Sequence, residues 1–260
     1  MPDIHPSAIV SDQATLADDV TVGPFSIIDA GVNIGAGCQI GAHVWVTGNT
    51  VMGADNHIGY GSIVGTDPQD ASFDSSLESN VVLGDGNRIR EYVTIHRSTA
   101  AGGSTTVGNS NFLMTGVHLA HDVQMGDFNN LANNVLLAGH IIIGNRVFLG
   151  GGAAFHQFLH IGDFAIVQGN SAISRDVPPF CTAHGRNELA GLNVIGLRRG
   201  GFSAEDRADI KRAYQLLFRS GGNLREALAE AENRSWCDAA EVLLAAARHP
   251  SRKGLITGKS

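Results

Sequence analysis

The chain has 260 residues, 33 of them glycine, with 43% hydrophobic, 6% aromatic and 17% charged residues and a formal net charge of −7. The low charge content excludes disorder driven by self-repulsion, the acidic balance excludes a protein built mainly to hold nucleic acid, and the lack of a Gly-X-Y period excludes collagen. No stretch approaches the ~20 apolar residues of a membrane span, the first residues lack a secretory signal, and Cys38, Cys181 and Cys237 form no disulfide framework, so a cytoplasmic protein is expected.

From Ile4 an aliphatic residue recurs at every sixth position, through Val22, Ile40 and Ile58 to Val64, giving eleven hexads without a slip. Two positions before it stands a mostly small or β-branched residue, such as Ala8, Val20, Val32 or Cys38. The period breaks over 65–82, returns at Leu83, Ile89 and Ile95, breaks again at about 98–106, and then runs for twelve hexads from Val107 to Ile173. A spacing of six fits neither a helix nor a simple strand. It is the signature of a parallel β-helix, in which three hexads make one triangular coil of 18 residues. The 26 hexads predict eight to nine coils. The interruptions at 65–82 and 98–106 leave the coil as loops. A stacked solenoid encloses no pocket of its own, so function is expected on such loops or between subunits.

The pattern stops after Pro178-Pro179, which places the β-helix at 1–183, a linking segment at 184–202 and a helical domain at 203–260. Ser203 is a suitable N-cap for a helix whose Ile210, Tyr214, Leu217 and Phe218 form an apolar stripe, and Gly221-Gly222 ends it. A second helix starts after Asn223, and a third is expected over 236–248. Between Arg198 and Arg225 stand seven basic residues and three acidic ones. That imbalance is either a solvated helix face or a patch for an acidic partner, which Arg88, Arg90 and Arg97 would extend.

Five of the 11 histidines fall between 118 and 160. An 18-residue coil stacks His121, Gly139 with His140, and His156 with Gln157 along one edge, about 4.8 Å apart. His118 falls on the same side or the neighbouring corner. Such a column is a solvated polar stack, a metal site, or a general base working near pH 7. Adjacent residues on an extended strand face opposite ways, so a bonded His121–Asp122 pair requires a turn. Gly139 would let a backbone N–H approach a developing oxyanion closely.

The hexads, together with GDGNRIREYVTIHR (84–97), GVHLAHDV (116–123), LANNVLLAGHIIIG (131–144), AFHQF (154–158), DVPPF (176–180), GLNVIGLRRGGFS (191–203) and AYQLLFRSG (213–221), resemble the UDP-N-acetylglucosamine O-acyltransferases over nearly the whole chain. The resemblance implies an all-β left-handed parallel β-helix with a C-terminal α-helical domain, acting as a homotrimer with sites between subunits, without cofactor or metal. It implies transfer of a (3R)-3-hydroxyacyl chain from acyl carrier protein to the glucosamine 3-OH of UDP-N-acetylglucosamine, the first step of lipid A biosynthesis. His121 matches the general base, Asp122 its partner, and Gly139 the oxyanion donor. His118, His140 and His156, with Gln157, match positions lining the sugar and pyrophosphate site. Gln69 and Asp70 match residues near the acyl and sugar groups, Asn193 and Arg199 nucleotide contacts, and Gly169 the floor of the acyl groove.

The chain departs from the family pattern at several points. Residues 71–80 contain no lysine where the family loop usually carries one, Ser72 standing in its place; Ile195 and Gly200 replace a common Glu and Arg, and His184 a common Gln. Acceptor identity is therefore open to a 3-amino sugar nucleotide, which would give an amide. A γ-carbonic-anhydrase-like zinc enzyme would share the β-helix and the histidines but not LRRGGFS or the helical tail. A non-catalytic scaffold or ice-binding solenoid would need flat rows of Thr, which are absent.

Overall fold

The structure, a computed structural model, describes residues 1–257. The chain winds as a left-handed parallel β-helix whose three faces are sheets of eleven, nine and eight strands. Most strands are only two residues long, one side chain pointing out and one in, as at Thr21–Val22 and Phe148–Leu149. Successive coils stay in the register that the hexads dictate: Ile4 pairs with Val22, and Leu119 with Leu137.

Both small and aliphatic hexad positions face inward. Val20 and Val22, Val44 and Val46, and Val117 and Leu119 are all buried. Each fully buried aliphatic of this kind contributes roughly 1.5–3 kcal/mol relative to exposure. One corner is held differently, by a column of buried asparagines. The Asn56, Asn87 and Asn111 side-chain oxygens each accept the backbone N–H of the next member, at 2.9 Å in every case, ending at Asn129. The side chains thereby replace backbone partners that the turning chain cannot supply.

The inserts are shorter than the broken period suggests. Strands Ile63–Thr66 and Asn80–Leu83 extend into the first, leaving 67–79 as loop, and Ser104–Val107 extends into the second. Met52 still pairs with Leu83, and Ile95 with Leu119, so the added chain is expelled without disturbing the interior.

The segment expected to be a linker is largely structured. Cys181–His184 and Glu188–Leu192 form an antiparallel hairpin that closes the eleven-stranded sheet. Helix α1 (Val194–Arg199) follows, then α2 (Ala204–Arg219), α3 (Leu224–Ala231) and α4 (Asp238–Arg248). Ser203 and Asn223 begin α2 and α3 with capping boxes, to Asp206 and Glu226. The end of the chain then returns to the β-helix. Buried Asp176 accepts from the Ser251 hydroxyl at 2.7 Å and its backbone N–H accompanies it, while Leu255 and Ile256 are buried.

Candidate active site

His121 and Asp122 lie in the turn between the nine- and eight-stranded sheets, with Asp122 in the left-handed region at φ 62°. That conformation swings the carboxylate back beside its neighbour, which an extended strand would forbid. His121 Nδ1 is 2.8 Å from Asp122 Oδ2. An ionised carboxylate can only accept, so the proton sits on Nδ1 and leaves Nε2 as the basic nitrogen.

Asp122 is itself surrounded by donors from the second insert: the Ser98 hydroxyl, the Thr99 hydroxyl at 2.7 Å and the Thr99 N–H at 3.2 Å. Burial pushes its carboxyl up, but these hydrogen bonds and that of His121 outweigh burial and hold it at about 2. It is therefore a fixed anion behind the imidazole.

Gly139 faces the other side of His121. A Cβ at Gly139 would sit 2.5 Å from His121 Cε1 and 2.7 Å from Nε2, so only glycine lets the two coils approach here. Its carbonyl accepts from the Phe158 N–H, and its own N–H meets no acceptor among the described residues. His140, the next residue, places Nε2 3.6 Å from Asp122 Oδ2 and its ring edge-on to His121 at 5.1 Å between centroids. Burial, opposed by the Asp122 charge, lowers its pKa and keeps it neutral near pH 7.

An open cleft of about 280 Å³ runs over this turn, lined by Gln69, His118, His121, Gly139, Leu136 and Gln157, among others. His118 points into it from strand His118–Leu119, with Nδ1 2.8 Å from the Thr94 hydroxyl. Burial and the neighbouring His96 push its pKa down to about 4. Asp70, at the tip of the first insert, accepts from the Ser72 N–H and hydroxyl at 2.9 and 2.7 Å. These bonds lower its pKa, helped by the field of His121. Ser72 is thus spent on Asp70.

Other expected site residues lie elsewhere on the protomer. His156 does not share the cleft. The two residues lie past the end of strand Ala154–Phe155, where the chain turns the corner, so Gln157 lines the cleft while His156 lines an adjoining groove of about 370 Å³ with Ser174 and Arg186. Gly169 sits on the turn between the eleven- and nine-stranded sheets, at the opposite edge of the histidine face, where an added Cβ would lie 2.9 Å from the Gly151 carbonyl oxygen.

Asn193 and Arg199 line a groove of about 500 Å³ against the eleven-stranded sheet, with Ile195 and Thr182. The Asn193 side chain caps α1 through the Gly196 N–H and donates to the Phe164 carbonyl at 2.8 Å, so much of its hydrogen-bonding capacity is used internally. Gly200 has a local explanation: a Cβ there would come within 2.6 Å of the Phe164 ring. Arg97 does not extend a surface patch, being 8% exposed, and Arg90 is paired with Glu91 at 2.7 Å. His96 is a neighbour that sequence reading missed. Its ring meets that of His118 edge-on at 5.1 Å, and its period-six context carried no sign of this.

His121, Asp122 and His140 offer ligand atoms within 4.8 Å of one another and could hold a metal ion. The donor set suits that role poorly, because His121 Nδ1 and both carboxylate oxygens are already committed to hydrogen bonds. What the arrangement does offer is an imidazole backed by a fixed anion and packed against Gly139, whose backbone N–H has no acceptor among the described residues.

A family model described as bacterial transferase hexapeptide (six repeats) matches residues 13–48, and one described as UDP-N-acetylglucosamine O-acyltransferase, domain 2, matches 176–256. The acyl-[acyl-carrier-protein]--UDP-N-acetylglucosamine O-acyltransferase of Janthinobacterium sp. (strain Marseille) is 46% identical over 244 residues, covering 92% of this chain and 93% of its own length. The chain belongs to the UDP-N-acetylglucosamine O-acyltransferase family. The family enzyme of Halorhodospira halophila is 45% identical over 235 residues, 88% of this chain and 91% of its own. Two family structures superpose over almost everything. That of Moraxella catarrhalis has a TM-score of 0.91 at 40% identity, covering 97% of this chain and 99% of its own. That of Francisella novicida has 0.93 at 35% identity, covering 99% and 95%.

Proposed function

We propose that this chain transfers a (3R)-3-hydroxyacyl group from acyl carrier protein to the glucosamine 3-OH of UDP-N-acetylglucosamine, the first step of lipid A biosynthesis. The observation that carries the mechanism is the His121–Asp122 pair packed against Gly139, with His121 and Gly139 lining one cleft. His121 Nε2 takes the proton of the sugar hydroxyl as its oxygen attacks the thioester carbonyl. The resulting oxyanion accepts from the Gly139 N–H. The C–S bond then breaks, and the imidazolium returns its proton to the departing thiolate. The Asp122 carboxylate stabilises the imidazolium between these steps.

Asn193, Arg199 and Gly169 lie off the His121 edge, which supports a homotrimer whose neighbouring subunits complete each site. The donor is supported by a cleft of about 540 Å³ between α1 and α2, where Arg198, Arg207, Lys211 and Arg219 surround Leu197 and Tyr214. Two of the three acidic residues in that stretch are turned to other work, Asp206 in the Ser203 cap and Asp209 on Arg212 and the Cys237 N–H. An acidic carrier suits such a surface. No described helix is long and apolar enough to cross a membrane.

The test offers purified protein with 3-hydroxyacyl carrier proteins of several chain lengths either UDP-N-acetylglucosamine or its 3-amino analogue, with products identified by mass. The proposal requires an ester on the first sugar nucleotide. Product only with the amine would keep the chemistry and change the acceptor. A second arm mixes His121→Ala with Arg199→Ala protomers after subunit exchange. Recovered activity is the result expected of sites shared between subunits, and none is expected if each protomer works alone.

A further inference from the structure

Gln69 reaches the catalytic cleft from a 67–79 loop that belongs to no strand, so something must hold that loop in place. Its own hydrogen bonds are mostly local turns, such as the Asp74–Ser76 and Asp70–Ser72 pairs. Bonds to the rest of the chain gather at its two ends, the Ser79 hydroxyl donating to the Ser98 carbonyl at 2.6 Å and the Gly102 N–H to the Glu78 carbonyl at 2.8 Å, while Arg97, immediately after strand Thr94–His96, reaches Ser75 and Leu77 as well as both ends. Its five N–H directions all end on the first insert. Nε donates to Asp67 Oδ1 at 2.8 Å, and one terminal nitrogen pairs with the same oxygen at 2.8 Å and donates to the Ser75 carbonyl at 2.9 Å. The other donates to the Leu77 carbonyl and to the Ser79 hydroxyl. The Phe73 ring lies against the guanidinium, 4.9 Å from centroid to Cζ.

The approach to this buried position is prepared as well. The arginine stem passes Gly48, where a Cβ would lie 3.1 Å from Arg97 Cδ. His96 helps from the same strand, its Nδ1–H donating to the Asp67 carbonyl at 2.7 Å. A planar fork with five donors can satisfy two carbonyls, a carboxylate and a hydroxyl at once; a lysine ammonium, with three donors on one atom, cannot.

We infer that Arg97 is a positioning residue for acyl transfer: from the end of strand Thr94–His96, buried beneath the insert, it fixes the 67–79 loop over the cleft and so sets the place of Gln69 beside His121. The inference rests on the proposed reaction, but its first readout does not. Hydrogen exchange of the loop amides should accelerate about tenfold or more in Arg97→Met, with coil amides near Leu119 and Leu137 still protected. Asp67→Asn, which leaves the coil untouched, should give a smaller acceleration of the same amides.

In steady-state assays Arg97→Met should lower kcat/KM roughly 10–100-fold, the scale of an ångström-level misplacement, while Arg97→Lys recovers only part of it. The decisive arm adds Gln69→Ala. If Arg97 acts through the loop, its substitution costs less than threefold in that background. Unchanged loop exchange in both Arg97→Met and Asp67→Asn would overturn the inference, whether or not the chain proves to be an acyltransferase. So would a full, additive loss from Arg97→Met on top of Gln69→Ala.

Discussion

Asp122→Asn tests the proton-transfer assignment with almost no change of volume. The carboxylate accepts from Ser98, from two groups of Thr99 and from His121. A carboxamide has one oxygen and one NH2, so it can satisfy that set in only two ways. With NH2 toward His121, Nδ1 must accept, the proton moves to Nε2, and the nitrogen facing the cleft is no longer basic. With oxygen toward His121 and NH2 toward Ser98, the tautomer survives but the negative charge beside the forming imidazolium is gone. At about 4 Å and an effective dielectric near 20, that charge is worth roughly 4 kcal/mol, and about 1.4 kcal/mol is tenfold in rate. Either way the loss in kcat/KM is about 100- to 1,000-fold. The assay is initial-rate acyl transfer with both substrates varied, beside a melting curve. A variant that folds like the parent and keeps kcat/KM within threefold would refute the role given to Asp122.

Gly139→Ala puts a methyl within 2.5 Å of the His121 ring and should cost at least 100-fold in rate by initial-rate assay, with a lowered melting temperature as the ring or the coils give way. The pKa of His118 is held down at about 4, below its unfolded value of about 6.5, so the folded state binds fewer protons in between and stability falls as pH drops from about 6.5 to 4. That loss is roughly 3 kcal/mol, and urea unfolding at stepped pH should show it shrink in His118→Gln. Asp122 has a depressed pKa of about 2, so its stabilisation of about 2 kcal/mol is complete above about pH 5 and is lost as pH falls through 2, a loss that urea unfolding at stepped acid pH reads. Asn111→Ala removes the acceptor of the buried Asn129 N–H and should destabilise by about 1–3 kcal/mol in chemical denaturation.

The coil was legible because its interior repeats one demand: every sixth residue faces the same axis, so Ile4 to Val64 and Val107 to Ile173 announce themselves. The His121 edge followed by adding 18, which puts Gly139 over His121 whatever their chemistry. Finer placements depended on what period six does not carry. The pairing of His121 with Asp122 needed a left-handed residue, and the choice of Gln157 over His156 needed the path of the corner after Phe155 at one-residue precision. The hairpin at 181–192 and the return of Ser251 to Asp176 have no periodicity to read. Arg97 looked like surface charge because its partners lie 18 to 30 residues away in a loop whose path only the folded chain defines. The substitution at Ile195, exposed in the groove that Asn193 and Arg199 line, has no structural explanation.

The most direct measurement compares the parent chain with His121→Ala in a single-turnover reaction, using radiolabelled UDP-N-acetylglucosamine and excess 3-hydroxyacyl carrier protein, with product drawn off by deacetylation because acyl transfer from a thioester to this hydroxyl need not be favourable at equilibrium. The account predicts O-acylated sugar nucleotide from the parent and a rate at least 100-fold lower from a variant that melts like it. A folded His121→Ala protein that acylates the sugar at the parent's rate would contradict it.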